Sequence, residues 1–244
     1  MRPYLRNLLL RMADQNYRCG ETQEEGQWEA GKDLASDPSS EARQLDDVNL
    51  LPDLYNLAMS NKSEIDKIHV YFVLGFIAKN ANNEEAVKFM LDRLKIERAT
   101  LVILTILHRL AEIYKPQSFD LSIIYELIEK KGANIRRAAY NALTNSAHNV
   151  EDYLLDLLSK TTKAEDVAGI IIALGYIGTE KSISPLKELL KSRKAEIKFW
   201  TQNTLPTIMI RLGFPTTEIC RVTKVSTNYL IKRKAILENL SRPG

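Results

Sequence analysis

Residues 173–190 decide the fold. They read Ala173-Leu174-Gly175-Tyr176-Ile177-Gly178, then Thr179-Glu180, then Ile183-Ser184-Pro185-Leu186-Lys187-Glu188-Leu189-Leu190 after a short polar turn. An apolar helical segment is followed at once by a second segment with apolar residues at helical spacing. Thr179 to Ser182 offer side-chain oxygens for the start of that second helix. Pro185 is expected near its first turn, where a missing N–H costs little. The outline recurs at 73–78, 106–111, 142–147 and 204–209, with aligned leucines at 74, 107, 143, 174 and 205. Their intervals are 33, 36, 31 and 31, a degenerate repeat.

Each of the first four segments leads through a polar turn into a second helical segment, at 86–94, 121–128, 153–158 and 183–190. In the third unit Ile135, Ala138, Ala139, Ala142 and Leu143 follow the one-face helical rule, and their small side chains permit close approach of a neighbour. A two-helix unit cannot bury both of its faces alone, so neighbouring units must stack. Composition agrees. Gly and Pro total 18 of 244 residues, too few for the many tight turns of a sandwich or barrel. With 45% apolar and 27% charged residues, a packed core is expected and wholesale disorder is excluded.

Residues 164–167, 173–178 and 183–190 resemble the HEAT-like repeats of the phycobilin-lyase type, and Ile135-Arg136-Arg137-Ala138-Ala139-Tyr140-Asn141-Ala142-Leu143 is similar to the opening helix of that unit. The resemblance spans roughly 65–213, with 46–60 as a degenerate first unit. The second unit departs most, since Leu101-Val102-Ile103-Leu104 replaces a charged opening. The resemblance implies an all-α fold: an α-solenoid, a right-handed superhelix of about five stacked HEAT-like helical pairs. It implies an interaction scaffold more firmly than any chemistry. The second helices would line the concave face and present Lys88, Asp92, Glu126, Glu129, Asp156, Lys187 and Lys191. That mixture of charge suits a protein partner better than a nucleic acid.

Three regions follow. Residues 1–45 hold a capping helix over 3–18, with Tyr4, Leu5, Leu8, Leu9 and Met12 on one face, and then an acidic loop that Trp28 is expected to anchor to the body. Residues 46–213 form the repeat array, and 214–244 a basic helical hairpin. The net charge of +3 conceals this layout: residues 19–66 carry −9 and residues 164–244 carry +6. The apolar N-terminal run is broken by Arg11, and the longest weakly polar run is twelve residues, so neither a signal segment nor a membrane span is expected. A cytoplasmic setting follows.

A catalytic set is not visible. His69, His108 and His148 lie at unrelated repeat positions, without metal-ligand spacing. Cys19 and Cys220 form no disulfide framework and read as inert thiols. Glycine-rich phosphate loops are absent. The carboxylate pairs Asp46-Asp47, Glu84-Glu85 and Glu151-Asp152 mark helix starts, where the macrodipole favours negative charge. No cofactor or metal is expected. Some HEAT-like proteins are DNA glycosylases or chromophore lyases. Trp28 and Trp200 do not assemble the aromatic cleft with one carboxylate that the glycosylases use, so an enzyme ranks third among the readings.

The second reading rests on the C-terminus, where residues 191–242 carry +8. Thr216-Thr217-Glu218-Ile219-Cys220-Arg221-Val222-Thr223-Lys224-Val225-Ser226-Thr227-Asn228-Tyr229-Leu230-Ile231-Lys232-Arg233 resembles a helix-turn-helix. Ile219, Val225 and Leu230 fill its apolar positions, Cys220 the small one, and Ser226 caps the second helix. It departs at Lys224, where glycine is usual, and at Arg233, where an apolar residue usually closes the core. The resemblance implies that Thr227, Asn228 and Lys232 face the major groove and that Lys224, Arg233 and Lys234 contact phosphate. The alternative is a hairpin that caps the array with a solvated basic face.

Overall fold

The computed structural model of the protein describes residues 1–14, 37–60 and 64–240. Among them are fourteen α-helices and no strand. In chain order these are α1 (Pro3–Ala13), α2 (Pro38–Arg43), α3 (Leu51–Met59), α4 (Glu64–Asn80), α5 (Glu84–Ile96), α6 (Thr100–Glu112), α7 (Ser122–Lys130), α8 (Ala133–Leu143), α9 (Val150–Lys160), α10 (Ala164–Ile177), α11 (Glu180–Leu189), α12 (Ala195–Arg211), α13 (Thr216–Thr223) and α14 (Thr227–Leu240). Cys19, Trp28 and most of the expected acidic loop lie outside the described residues. Among the described residues no helix is long and apolar enough to cross a membrane.

The chain divides into two compact units, Met1–Tyr125 and Glu126–Gly244, and the division falls inside α7. In the first unit α4 is the central helix, packed against α1, α2, α3, α5 and α6. Its Val70, Tyr71, Val73, Leu74, Gly75, Phe76, Ile77 and Ala78 are all buried, so its buried surface runs most of the way round, as a helix enclosed by neighbours requires. Leu5 and Leu8 of α1 are fully buried, whereas Tyr4, expected on the same face, is exposed. Asn83 accepts the Ala86 N–H at 2.8 Å and caps α5.

In the second unit α10 lies between α8 and α12, and α9 and α11 pack against each other and against this row. The close approach uses small residues. Ala138, Ala139 and Ala142 are buried on α8. A Cβ at Gly169 would lie 2.9 Å from the Tyr140 ring, and one at Gly175 3.3 Å from the Thr204 methyl. Arg211 of α12 closes the end of α10 by donating to the carbonyls of Gly175 and Gly178.

Helix existence follows the apolar spacing, but boundaries differ: α1 ends at Ala13 rather than running to 18, and α11 begins earlier than its apolar pattern. Thr179 accepts the Lys181 N–H and starts α11 at Glu180, so Pro185 stands inside the helix rather than in its first turn. The Lys181 carbonyl therefore has no partner four residues on.

Candidate functional site

The residues expected on the concave face are distributed over both units. Lys88 and Asp92 are exposed on α5 in the first. Lys88 sits 3.7 Å from Glu84 and 5.2 Å above the Phe119 ring, and Asp92 accepts from Lys95 at 2.9 Å. In the second unit Glu126 and Glu129 are exposed on α7, Asp156 on α9, and Lys187 and Lys191 at and just beyond the end of α11. Glu126 accepts from Lys130 at 3.0 Å, Asp156 from Lys160 at 2.6 Å, and Lys191 donates to Glu188 at 2.7 Å. Five of the seven side chains are thus paired one turn away on their own helix or its end.

The starts of α9 and α11 are cross-linked. Glu151, buried, accepts from the Thr179 N–H at 2.7 Å, the Thr179 hydroxyl at 2.8 Å and the Ser182 hydroxyl at 2.6 Å. Beside it Lys181 donates to Asp152 at 2.9 Å. A carboxylate at the first turn of α11 also meets the positive end of its dipole. The pair expected to mark one helix start therefore fixes the register of two.

Three polar features were not anticipated. In the first unit the Tyr71 hydroxyl donates to Glu97 at 2.9 Å, joined by Lys67 at 3.2 Å and Arg93 at 2.7 Å. Burial would raise the Glu97 carboxyl, but the hydrogen bonds from Arg93, Tyr71 and Lys67 outweigh it and hold the group below its usual range. In the second unit Tyr140 donates to Asp166 at 3.2 Å, and Arg136 forks onto both Asp166 oxygens at 2.7 and 2.9 Å. The second set stands 69 residues after the first at all three shared positions. A search for a period near 69, rather than near 33, would have found it.

The second feature is Lys115, fully buried between α6 and α7. Its Nζ donates to the carbonyls of Leu110 at 2.6 Å and Ile113 at 2.7 Å, closing the end of α6. Burial pushes its ammonium down to about 7. The third is Arg109 of α6, whose guanidinium lies 4.5 Å from the Phe76 ring centre and 5.1 Å from that of Phe72 and pairs with Glu112 at 2.9 Å. Burial, with Arg43 nearby, lowers its basicity. Gly75 leaves the room that its stem occupies.

At the C-terminus α13 and α14 pack against each other and against α12. Ile219, Thr223 and Leu230 are buried between them. Lys224 ends α13 with φ +60°, in the left-handed region, and its N–H donates to the Cys220 carbonyl at 2.9 Å. Ser226 accepts the Tyr229 N–H at 3.2 Å and caps α14. Thr227, Asn228, Lys232 and Lys234 are exposed, as is Lys224. Arg233 is half-buried and its Nε donates to Thr207 of α12 at 3.0 Å. Among the described residues no group of three His, Cys, Asp or Glu is arranged to hold a metal ion. Compared with known proteins, the chain matches no family model, no curated protein and no solved structure.

Proposed function

We propose that the chain is a non-enzymatic scaffold that binds another protein, and that its helical pairs continue as an α-solenoid of about five HEAT-like units. The observation that carries the reading is the row α8, α10, α12 with α9 and α11 packed together beside it. This is the stacking that a repeat of two-helix units needs in order to bury both faces. In this reading the protein works in the cytoplasm without a cofactor.

The exposed face of the second helices favours a protein partner. Of the seven side chains expected on it four are acidic and three basic, so no uniform positive field is set up for a polyanion. Most are held in exposed pairs one turn apart, which water screens and which add little to stability. Such pairs are exchanged for contacts to a partner at small cost.

Affinity capture from an extract of the native cells tests the reading. The intact chain is expected to retain one protein in stoichiometric amount. Asp156→Lys combined with Lys187→Glu and Lys191→Glu should abolish retention with the thermal midpoint unchanged within a few degrees. Recovery of nucleic acid alone, or full retention by the reversed variant, would overturn it.

A further inference from the structure

At the C-terminal end α13 and α14 pack on α12, the last helix of the row α8, α10, α12. α13 has eight residues, residues 224–226 make the turn, and α14 has fourteen residues. A three-residue turn between helices of this kind is the framework that places a second helix in the major groove of duplex DNA. The tight turn needs a left-handed residue at its start, a position usually given to glycine. Lys224 takes that conformation in spite of its side chain, with φ +60°.

The orientation of α14 is fixed from behind. Tyr229 donates its hydroxyl to Asn203 at 2.8 Å, and four residues later Arg233 donates to Thr207, which is four residues after Asn203. Leu230 is buried beside them. Residues 229, 230 and 233 therefore face α12, which turns Asn228, Ile231, Lys232 and Ala235 to the opposite, exposed side. Arg233 is half-buried and commits its Nε–H to Thr207, so it positions α14 and is not counted among the contacts to phosphate. Lys224 and Lys234 flank the exposed face, and Arg221 is three-quarters exposed on α13.

We propose that this three-helix unit binds duplex DNA, with the exposed face of α14 in the major groove. Asn228 offers the amide that pairs in bidentate fashion with adenine, Thr227 and Lys232 offer further donors to base edges, and Ile231 offers an apolar surface to a thymine methyl. Arg221, Lys224 and Lys234 lie at the margins, where they contact phosphate. Charge selects the partner. Among the described side chains of 216–237, Glu218 is the sole carboxylate, and it is 3.8 Å from Arg221. α14 exposes two large apolar side chains, Ile231 and Ile236, but they stand beside Lys232 and Lys234 and do not form the continuous apolar centre of a protein-binding face.

The test uses the whole chain and a fluorescent pool of random 30-base-pair duplexes, read by anisotropy. Three phosphate contacts predict a log–log salt slope near −2.7, so affinity should fall about 40-fold between 50 and 200 mM salt. Lys232→Gln with Lys234→Gln should weaken binding at least tenfold with an unchanged thermal midpoint. Asn228→Ala should relax the sequence preference recovered by selection from the pool. Absence of binding at 50 mM salt overturns the proposal, and so does binding that survives the double substitution. Retention of the stoichiometric protein partner is unaffected by either result, which separates this site from the repeat face. Loss of that partner in the double variant without any DNA binding would instead assign the hairpin to protein contact.

Discussion

Tyr71 donates its hydroxyl to Glu97 over 2.9 Å, joining the middle of α4 to the chain just ahead of α6. Both are buried, and the two residues are 26 positions apart, the same separation as Tyr140 and Asp166 in the second unit. A tyrosine buried against a carboxylate, with a cation four residues earlier on the same helix, is one device used twice.

Glu97 gives the first prediction. Its carboxyl is held below the usual range in the folded chain, so its contribution to stability is complete above the unfolded value near 4.3 and is lost as pH falls through the folded value. Glu97→Gln removes the charge and keeps the shape. It should cost about 1–3 kcal/mol at pH 7, the range for weakening hydrogen bonds to a charged group. The cost should shrink as pH falls below the ordinary carboxylate range, where the wild-type carboxyl begins to take up its proton. Urea unfolding at pH 7, 5 and 3 measures the difference; a cost independent of pH would contradict it.

Lys115 gives a dependence in another window. Its ammonium titrates near 7 when folded and near 10.4 when unfolded. Between these values the unfolded chain binds the extra proton, so the contribution of Lys115 makes stability rise as pH increases from about 7 toward 10. Lys115→Met should remove that rise. It also leaves the Leu110 and Ile113 carbonyls without their donor, so its mean stability is a poor readout and its slope the informative one. Denaturation midpoints at pH 7, 8 and 9 for both proteins check this.

Much of the helical layout was legible. Apolar residues at helical spacing located the two-helix outline, and the observed second helices overlap every expected one. Side-chain partners were not legible where they depend on packing. Lys115 stands in a stretch that reads as a polar turn, and only the folded chain brings carbonyls around it. Arg109 stands within the apolar segment 106–111, and the letters give no sign that it lies over Phe72 and Phe76, where Gly75 makes room. Pro185 was misplaced because Thr179 opens the helix earlier than the apolar pattern does. At the C-terminus the two departures from a helix-turn-helix were visible as letters. Their resolution, a left-handed lysine and an arginine hydrogen-bonded to α12, is a property of the backbone and of Thr207.

Gly75 is a sharp steric test. A Cβ there would lie 2.3 Å from Cγ and 2.5 Å from Cβ of Arg109, too close to the stem to be relieved by rotating the guanidinium away. Alanine gains about 1 kcal/mol of helix propensity over glycine, while overpacking of a filled contact costs about 1–3 kcal/mol. Gly75→Ala should therefore destabilise the protein. In the Arg109→Gly background, which lacks both the Cβ and the Cγ, the clash is gone and the same change should become neutral or stabilising. A double-mutant cycle by chemical denaturation measures the coupling; additive effects would refute the contact.

Lys224 links the fold to the proposed DNA contact, because one substitution moves the two in opposite directions. A left-handed conformation costs an L-residue about 1–2 kcal/mol, and glycine escapes most of that while losing more backbone freedom on folding. Lys224→Gly should thus stabilise the chain by about 0.5–1 kcal/mol, whereas Lys224→Val, branched at Cβ, should destabilise it. The same Lys224→Gly protein lacks one cation beside the exposed face of α14. Its DNA affinity at 50 mM salt should fall, and its salt slope should flatten by about 0.9. A variant more stable yet weaker in DNA binding is not explained by damage to the fold. A variant more stable with unaltered affinity and slope would keep the turn and remove Lys224 from the interface.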